Sequence, residues 1–231
     1  IAPTTAYLLT RDPVDGMLKE SPSLYTALVR RAARAISQRL SAVDATLVGR
    51  GRTLGFGGTR TRTEHDLLGE REVPDDALYG VQTLRALENF PITGNPLREF
   101  PTLVQALASV KEAAALANAE LGLMPRQLCD LIVRACGEIR AGRHHEHFLV
   151  DMIQGGAGTS TNMNANEVIA HLAAERLGRP VHANDDVNAS QSSNDVFPTA
   201  INVAAAAAAR RHLLPALDHL AGVLDGQARG K

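Results

Sequence analysis

Along several stretches of this chain apolar residues recur every three to four positions, a spacing that predicts amphipathic helices. Leu103, Leu107, Val110, Ala114 and Ala117 mark a helix over 101–121, opened by Pro101 and closed by Gly122. Leu128, Leu131, Ile132, Ala135 and Ile139 mark a second over 126–141, with Gly142 at its stop. Met163, Val168, Ile169, Leu172, Ala173 and Leu177 share one face of a third, over 162–177. Gly178 then stands where a left-handed C-cap belongs. Ile201, Val203, Leu213, Leu214, Leu217 and Leu220 line an alanine-rich helix over 196–224, which Pro215 should kink or split. A shorter helix over 77–88 begins after Pro74-Asp75-Asp76 and ends before Pro91-Ile92-Thr93-Gly94. The chain therefore reads as mainly α. Before Thr63 the text changes. Leu24, Leu28, Ala32, Ile36, Leu40 and Val43 draw a stripe beside Arg30, Arg31, Arg34 and Arg39, an added surface helix, and 49–62 is a glycine- and arginine-rich linker.

Two polar clusters interrupt this pattern, each at a helix start. Gln154–Glu167 (QGGAGTSTNMNANE) is a glycine turn followed by three hydroxyls, Thr159, Ser160 and Thr161. Such a turn aims free N–H groups and the positive end of the macrodipole at a ligand, which suits an anion. It carries no lysine and no GK[ST], so it is not a phosphate-binding P-loop, and a carboxylate fits it at least as well. Asp186–Thr199 (DVNASQSSNDVFPT) repeats the device with Ser190, Ser192, Ser193 and Asn194, and with Asp195 placed as a cap. Taken singly, each cluster is an ordinary Ser/Thr/Asn cap; the pair suggests a ligand with two anionic ends.

GAGTSTNMNANEVIA and VNASQSSNDVFPTA resemble two signature regions of the aspartase/fumarase superfamily, and the resemblance runs from about Glu64 to Ala228. Within it, Leu68–Gly94 and FLVDMIQGGAGTS (Phe148–Ser160) look like aspartate ammonia-lyase; a fumarase usually reads WQTGSGTQ at the second place. The resemblance implies a lyase N-terminal helical domain over 63–194 and the first long helix of a central helical bundle over 195–231. Residues 1–62 stay unassigned. It implies reversible deamination of L-aspartate to fumarate and ammonia, without cofactor or metal, by a cytoplasmic homotetramer acting on a small dicarboxylate. Thr159, Ser192, Ser193 and Asn194 would bind substrate, with Gly158, Ser160, His182, Asn184 and Asp185 in support. His182-Ala183-Asn184-Asp185 stands where fumarases carry HPND and bind a second dicarboxylate, with alanine for the proline. The family's base is a serine in a GSSxxPxKxN loop, which the resemblance places beyond Lys231, and a GRTHLQ segment supplies a Thr-His pair. Neither motif occurs in these 231 residues, so no catalytic residue is assigned in this chain, which reads as an N-terminal portion. The alternatives are a fumarate hydratase of the same superfamily, and a non-catalytic remnant that binds dicarboxylates or homologous subunits.

Composition adds limits. With 45% hydrophobic residues and no Trp, the core must come from Ala, Leu and Val. A formal net charge of −1 gives no basic footprint for nucleic acid. No apolar run reaches the length of a membrane span. Cys129 and Cys136 lie two turns apart on one helix, roughly 10 Å, too far for a disulfide, and read as core. His144, His145 and His147 lack a cysteine pair or i, i+4 spacing, and read as a polar surface turn rather than a metal site. Lys111 and Glu112 read as solvated or paired side chains, with the family shape placing Lys111 near a subunit contact.

Overall fold

The structure, a computed structural model, describes residues 60–229. The arginine-rich stripe and most of the linker lie outside them. So does Lys231, the residue past which the resemblance puts the serine base, and the expected bundle helix over 195–231 is therefore described only as far as Arg229. The chain divides into two compact units, Leu54–Arg211 and one to which residues 212–229 belong.

The first unit opens on an antiparallel hairpin, β1 (Thr61–Asp66) and β2 (Gly69–Pro74), in register from Thr61 opposite Pro74 to Asp66 opposite Gly69. Five helices follow in this unit: α1 (Val81–Asn89), α2 (Pro101–Glu120), α3 (Arg126–Arg140), α4 (Thr159–Leu177) and α5 (Ser193–Ala208). The architecture is mainly helical, as the periodicity predicts, and α2 and α3 match their expected limits within one residue. Two starts differ. The first helix begins at Val81 rather than 77, because Arg62 reaches across and takes up the carbonyls of Pro74, Ala77 and Tyr79, holding 75–79 in a turn and bend ahead of the helix. The third expected helix starts at Thr159, so all three hydroxyls belong to its first turn.

One core runs through this unit. Leu97, Val104 and Leu107 pack with Cys129, Ile132, Cys136 and Ile139, and with Phe148, Val168, Ile169 and Leu172, all fully or almost fully buried. Both cysteines are buried and free, and burial pushes both thiols above their ordinary pKa. The buried face of α2 drifts from its expected line. Past Leu107 it continues through Lys111, Ala115 and Asn118, while Ala117 turns outward.

Polar anchors set the position of α1. Asp66 at the end of β1 takes a two-pronged hydrogen bond from Arg85, at 2.8 and 2.7 Å. That guanidinium holds the carboxyl below its usual range. At the start of α1, Glu167 from the middle of α4 accepts the amides of Gly80 (2.9 Å), Gln82 (2.8 Å) and Thr83 (3.0 Å). A side chain from another helix thus caps the donors that α1 cannot satisfy itself.

After α5 the helical register breaks in a wider turn, Ala209–Leu213, and α6 (Leu214–Arg229) begins with Pro215 as its second residue. Pro215 has no N–H to give the carbonyl four residues back, so it suits a helix start. It therefore splits the expected helix. In α6, Leu214, Leu217, Leu220 and Val223 are exposed. No helix among the described residues is long and apolar enough to cross a membrane.

Candidate active site

The two helix starts singled out in the sequence adjoin each other in space. Gly158, the N-cap of α4, has φ +80°, and a Cβ built on it would fall 2.1 Å from Phe197 of α5. Only a residue without a side chain permits that approach and that backbone angle together. Phe197 therefore clamps the start of α5 against the start of α4. Sequence reasoning passes over Phe197, although it belongs to the quoted cluster.

The glycine turn is pinned at both ends. Asp151 accepts the amides of Thr93, Gly94 and Ile153 (2.7, 2.8 and 2.7 Å) and the Thr93 hydroxyl (2.8 Å). Burial pushes the Asp151 carboxyl up, and these four donors more than offset it, leaving the pKa below its ordinary value. Gln154 spans the turn: its Oε1 accepts the Thr161 amide at 2.8 Å, and its Nε2 donates to the Thr161 hydroxyl and the Asp151 carbonyl. Thr161 is thereby spent on structure and buried. The Thr159 and Ser160 amides meet no acceptor among the described residues, and Thr159 is exposed with Ser160 half-buried. Two hydroxyls and two amides remain free for an anion.

At the second start the N-cap is Ser192, not Asp195. Its hydroxyl oxygen accepts the Asn194 amide at 3.3 Å, and Asp195 sits in the first turn, its own amide donating to the Ser192 carbonyl. Ser193 is half-buried and Asn194 exposed, so a hydroxyl and a carboxamide face outward beside the α4 start. Ser190, at φ +60°, turns the chain just ahead of them. Thr159, Ser160, Ser192, Ser193 and Asn194 are thus gathered at two adjoining helix starts, with no formal charge among the five. Such a set can hold carboxylate oxygens through uncharged donors and can stabilise developing negative charge without reorganising.

Asn184 and Asp185 lie on the wide turn Ala183–Val187, with His182 as its N-cap. All three are exposed; the His182 ring accepts the Asp185 amide at 3.1 Å. The other histidines correct the sequence reading. His147 is buried rather than on the surface, with Nδ1 accepting the Leu78 amide at 3.2 Å, and burial lowers its pKa. His144 meets Glu138 at 3.1 Å and His145 meets the Ile139 carbonyl at 2.8 Å. Among the described residues no group of three or more His, Cys, Asp or Glu could hold a metal ion.

Behind the second start lies a buried polar cluster. Lys111 is fully buried rather than solvated, and its Nζ donates to Asn188 Oδ1 (2.8 Å) and Gln191 Oε1 (2.9 Å). Asn162 and Asn166 of α4 donate to the same Asn188 oxygen, at 3.0 and 3.2 Å. Burial pulls the Lys111 pKa down to about 7, with the Cys136 thiol as a minor influence. The folded chain therefore binds fewer protons here than the unfolded one between pH 7 and the ordinary lysine value. Stability should rise with pH across that window and fall as pH drops toward 7. Comparing thermal unfolding of the wild-type chain and Lys111→Met at pH 7 and 8.5 isolates this contribution; the wild-type chain should gain about 1.5 kcal/mol more.

The model of a lyase family matches residues 69–231. A fumarate hydratase class II from Xylella fastidiosa is 51% identical over 171 residues, 74% of this chain and 36% of that protein. An aspartate ammonia-lyase from Pseudomonas aeruginosa is 56% identical over 149 residues, 62% of this chain and 31% of that protein. Among solved structures, a class II fumarase from Schistosoma mansoni superposes with a TM-score of 0.71 at 41% identity, covering 74% of this chain and 37% of that one. A fumarate lyase:delta crystallin structure from Brucella melitensis gives 0.61 at 56% identity, covering 63% and 35%. The chain belongs to this lyase family, within the aspartase/fumarase superfamily. It spans about a third of the length of the curated relatives it matches.

Proposed function

We propose that the chain is the N-terminal portion of an aspartate ammonia-lyase, which deaminates L-aspartate reversibly to fumarate and ammonia. The observation that carries this reading is the juxtaposition of two uncharged donor clusters at adjoining helix starts, clamped by Gly158 and Phe197. Breaking the Cα–N bond requires loss of a Cβ proton beside the side-chain carboxylate, so extra negative charge builds on that carboxylate. Thr159 and Ser160 at one start, and Ser192, Ser193 and Asn194 at the other, supply donors for the substrate's carboxylates, and Asn194 a carbonyl for its amino group. His182, Asn184 and Asp185 support a neighbouring part of the site. The sequence FLVDMIQGGAGTS favours ammonia-lyase over hydratase. The hydratase reading keeps its own support in the 51% identity to fumarate hydratase class II.

The general base, a serine beyond Lys231, and the homotetramer would come from sequence these 231 residues do not contain, since neither GSSxxPxKxN nor GRTHLQ is present. Ile201 and Val203 on α5 are exposed apolar side chains of the kind an oligomer covers. The proposed enzyme is cytoplasmic and works without cofactor or metal.

The 231-residue chain alone should release no fumarate from aspartate, because proton abstraction needs an acceptor within hydrogen-bond reach. Completed with the missing two thirds of each relative in turn, it should become active and favour aspartate over malate. In the active chimeras Ser193→Ala, Asn194→Ala and Thr159→Val should each lower kcat/KM by about 100-fold, the scale of one lost donor. Fumarate absorbance reports both reactions. Preference for malate in both chimeras would hand the assignment to the hydratase.

A further inference from the structure

Lys111 belongs to none of the recognised clusters, yet it is the largest side chain buried without exposure in the described residues. A lysine at 0% exposure is costly to bury, and no carboxylate among the described residues is bound to it. Its partners are two neutral amide oxygens, Asn188 and Gln191, and these residues flank the short stretch leading into Ser192. The same stretch is tied twice more. Asn118, two turns beyond Lys111 on α2, donates to the Ala189 carbonyl at 2.9 Å. Asn162 and Asn166 donate from α4 to Asn188 Oδ1. One oxygen of Asn188 thus joins α2, α4 and the approach to α5. Gln191 adds local bonds from its Nε2 to the Val187 and Ala189 carbonyls. The carboxamide oxygens of Asn162 and Asn166 are buried without a partner among the described residues.

We infer that Lys111 is a positioning residue for the carboxylate site: through Asn188 and Gln191 it sets where the Ser192–Asn194 helix start lies against α4. It touches no ligand itself. The inference deepens the proposed reading of that site and rests on it for the affinity readout alone. A packing role would make Lys111 matter to the whole unit; a positioning role makes it matter to residues 188–196 first.

The test compares the 231-residue chain with Lys111→Met, an unbranched side chain one heavy atom shorter that removes the donors. Hydrogen exchange followed by mass spectrometry reads each segment, and succinate titration reads the site. Lys111→Met should speed exchange at least tenfold over residues 188–196, leave α3 unchanged, and weaken succinate at least tenfold. Leu107→Ala, one turn earlier on the same helix, should instead speed exchange across the core and leave succinate affinity of the folded fraction intact. Uniform acceleration in Lys111→Met, or no change over 188–196, would overturn the inference. If Lys111→Met yields no folded protein, Gln191→Met, which removes one of the two partners, decides on the same exchange criterion. If the wild-type chain binds no succinate, the site reading fails, and the exchange comparison still judges the positioning.

Discussion

Gly158→Ala should abolish dicarboxylate binding while the helical content of the chain survives. The added Cβ would lie 2.1 Å from two ring atoms of Phe197, inside any permitted contact. The backbone angle of +80° adds a second cost, because a side chain in left-handed geometry loses about 1 kcal/mol or more. Overpacking a fixed ring costs about 1–3 kcal/mol, so the pair of helix starts should separate rather than absorb both penalties. Phe197→Ala removes the obstacle. In the double variant the steric part of the loss should return and the backbone part should remain, a coupling of at least about 1 kcal/mol in the cycle. Circular dichroism checks the fold and calorimetry checks the binding. Full succinate affinity in Gly158→Ala would mean that the two clusters do not act together.

Glu167→Ala should produce the largest loss of stability of any single change on α4. Its buried carboxylate accepts three amides at the start of α1. Removing it strands those donors away from water, at a cost of about 3–4 kcal/mol, which a urea midpoint shift at constant slope would measure. Glu167→Gln separates charge from geometry. One oxygen serves Gly80 and Thr83 and the other serves Gln82, so the amide must turn its NH2 against at least one donor. About half the alanine loss should remain. An alanine variant within about 1 kcal/mol of wild type would show that water reaches this helix start.

Glu167 also illustrates what the sequence conceals. It is legible as part of a motif, but its partners lie more than eighty residues earlier, and no local pattern announces a cap supplied from another helix. The hairpin 61–74 escapes the pattern for a related reason. Its strands, TRTEHD and GEREVP, carry no alternating apolar face and are held by Thr61 and Thr63 hydroxyls on Glu72 and by Asp66 on Arg85. By contrast, α2 and α3 are legible to within a residue because proline opens them and glycine follows them.

Of the site, the hydroxyl and amide clusters are legible from composition at two helix starts. Their adjacency is not, since it depends on Phe197 meeting a glycine about forty residues earlier. Lys111 reads as solvated when charge is allowed to outweigh position. Its spacing is the available signal: four residues after Leu107 and four before Ala115, it stands in the middle of a buried stripe. His147 goes the same way, its ring drawn inward by the Leu78 amide.

The central claim is that the starts of α4 and α5 form one site for a ligand with two carboxylates. Titrating the isotope-labelled 231-residue chain with succinate, and with propionate as the one-ended control, tests it most directly. Saturable shifts should appear together at the Thr159, Ser160, Ser193 and Asn194 amides, with propionate at least about tenfold weaker, as loss of one charged hydrogen-bonded end implies. Shifts at only one helix start, or equal affinity for succinate and propionate, would contradict the account.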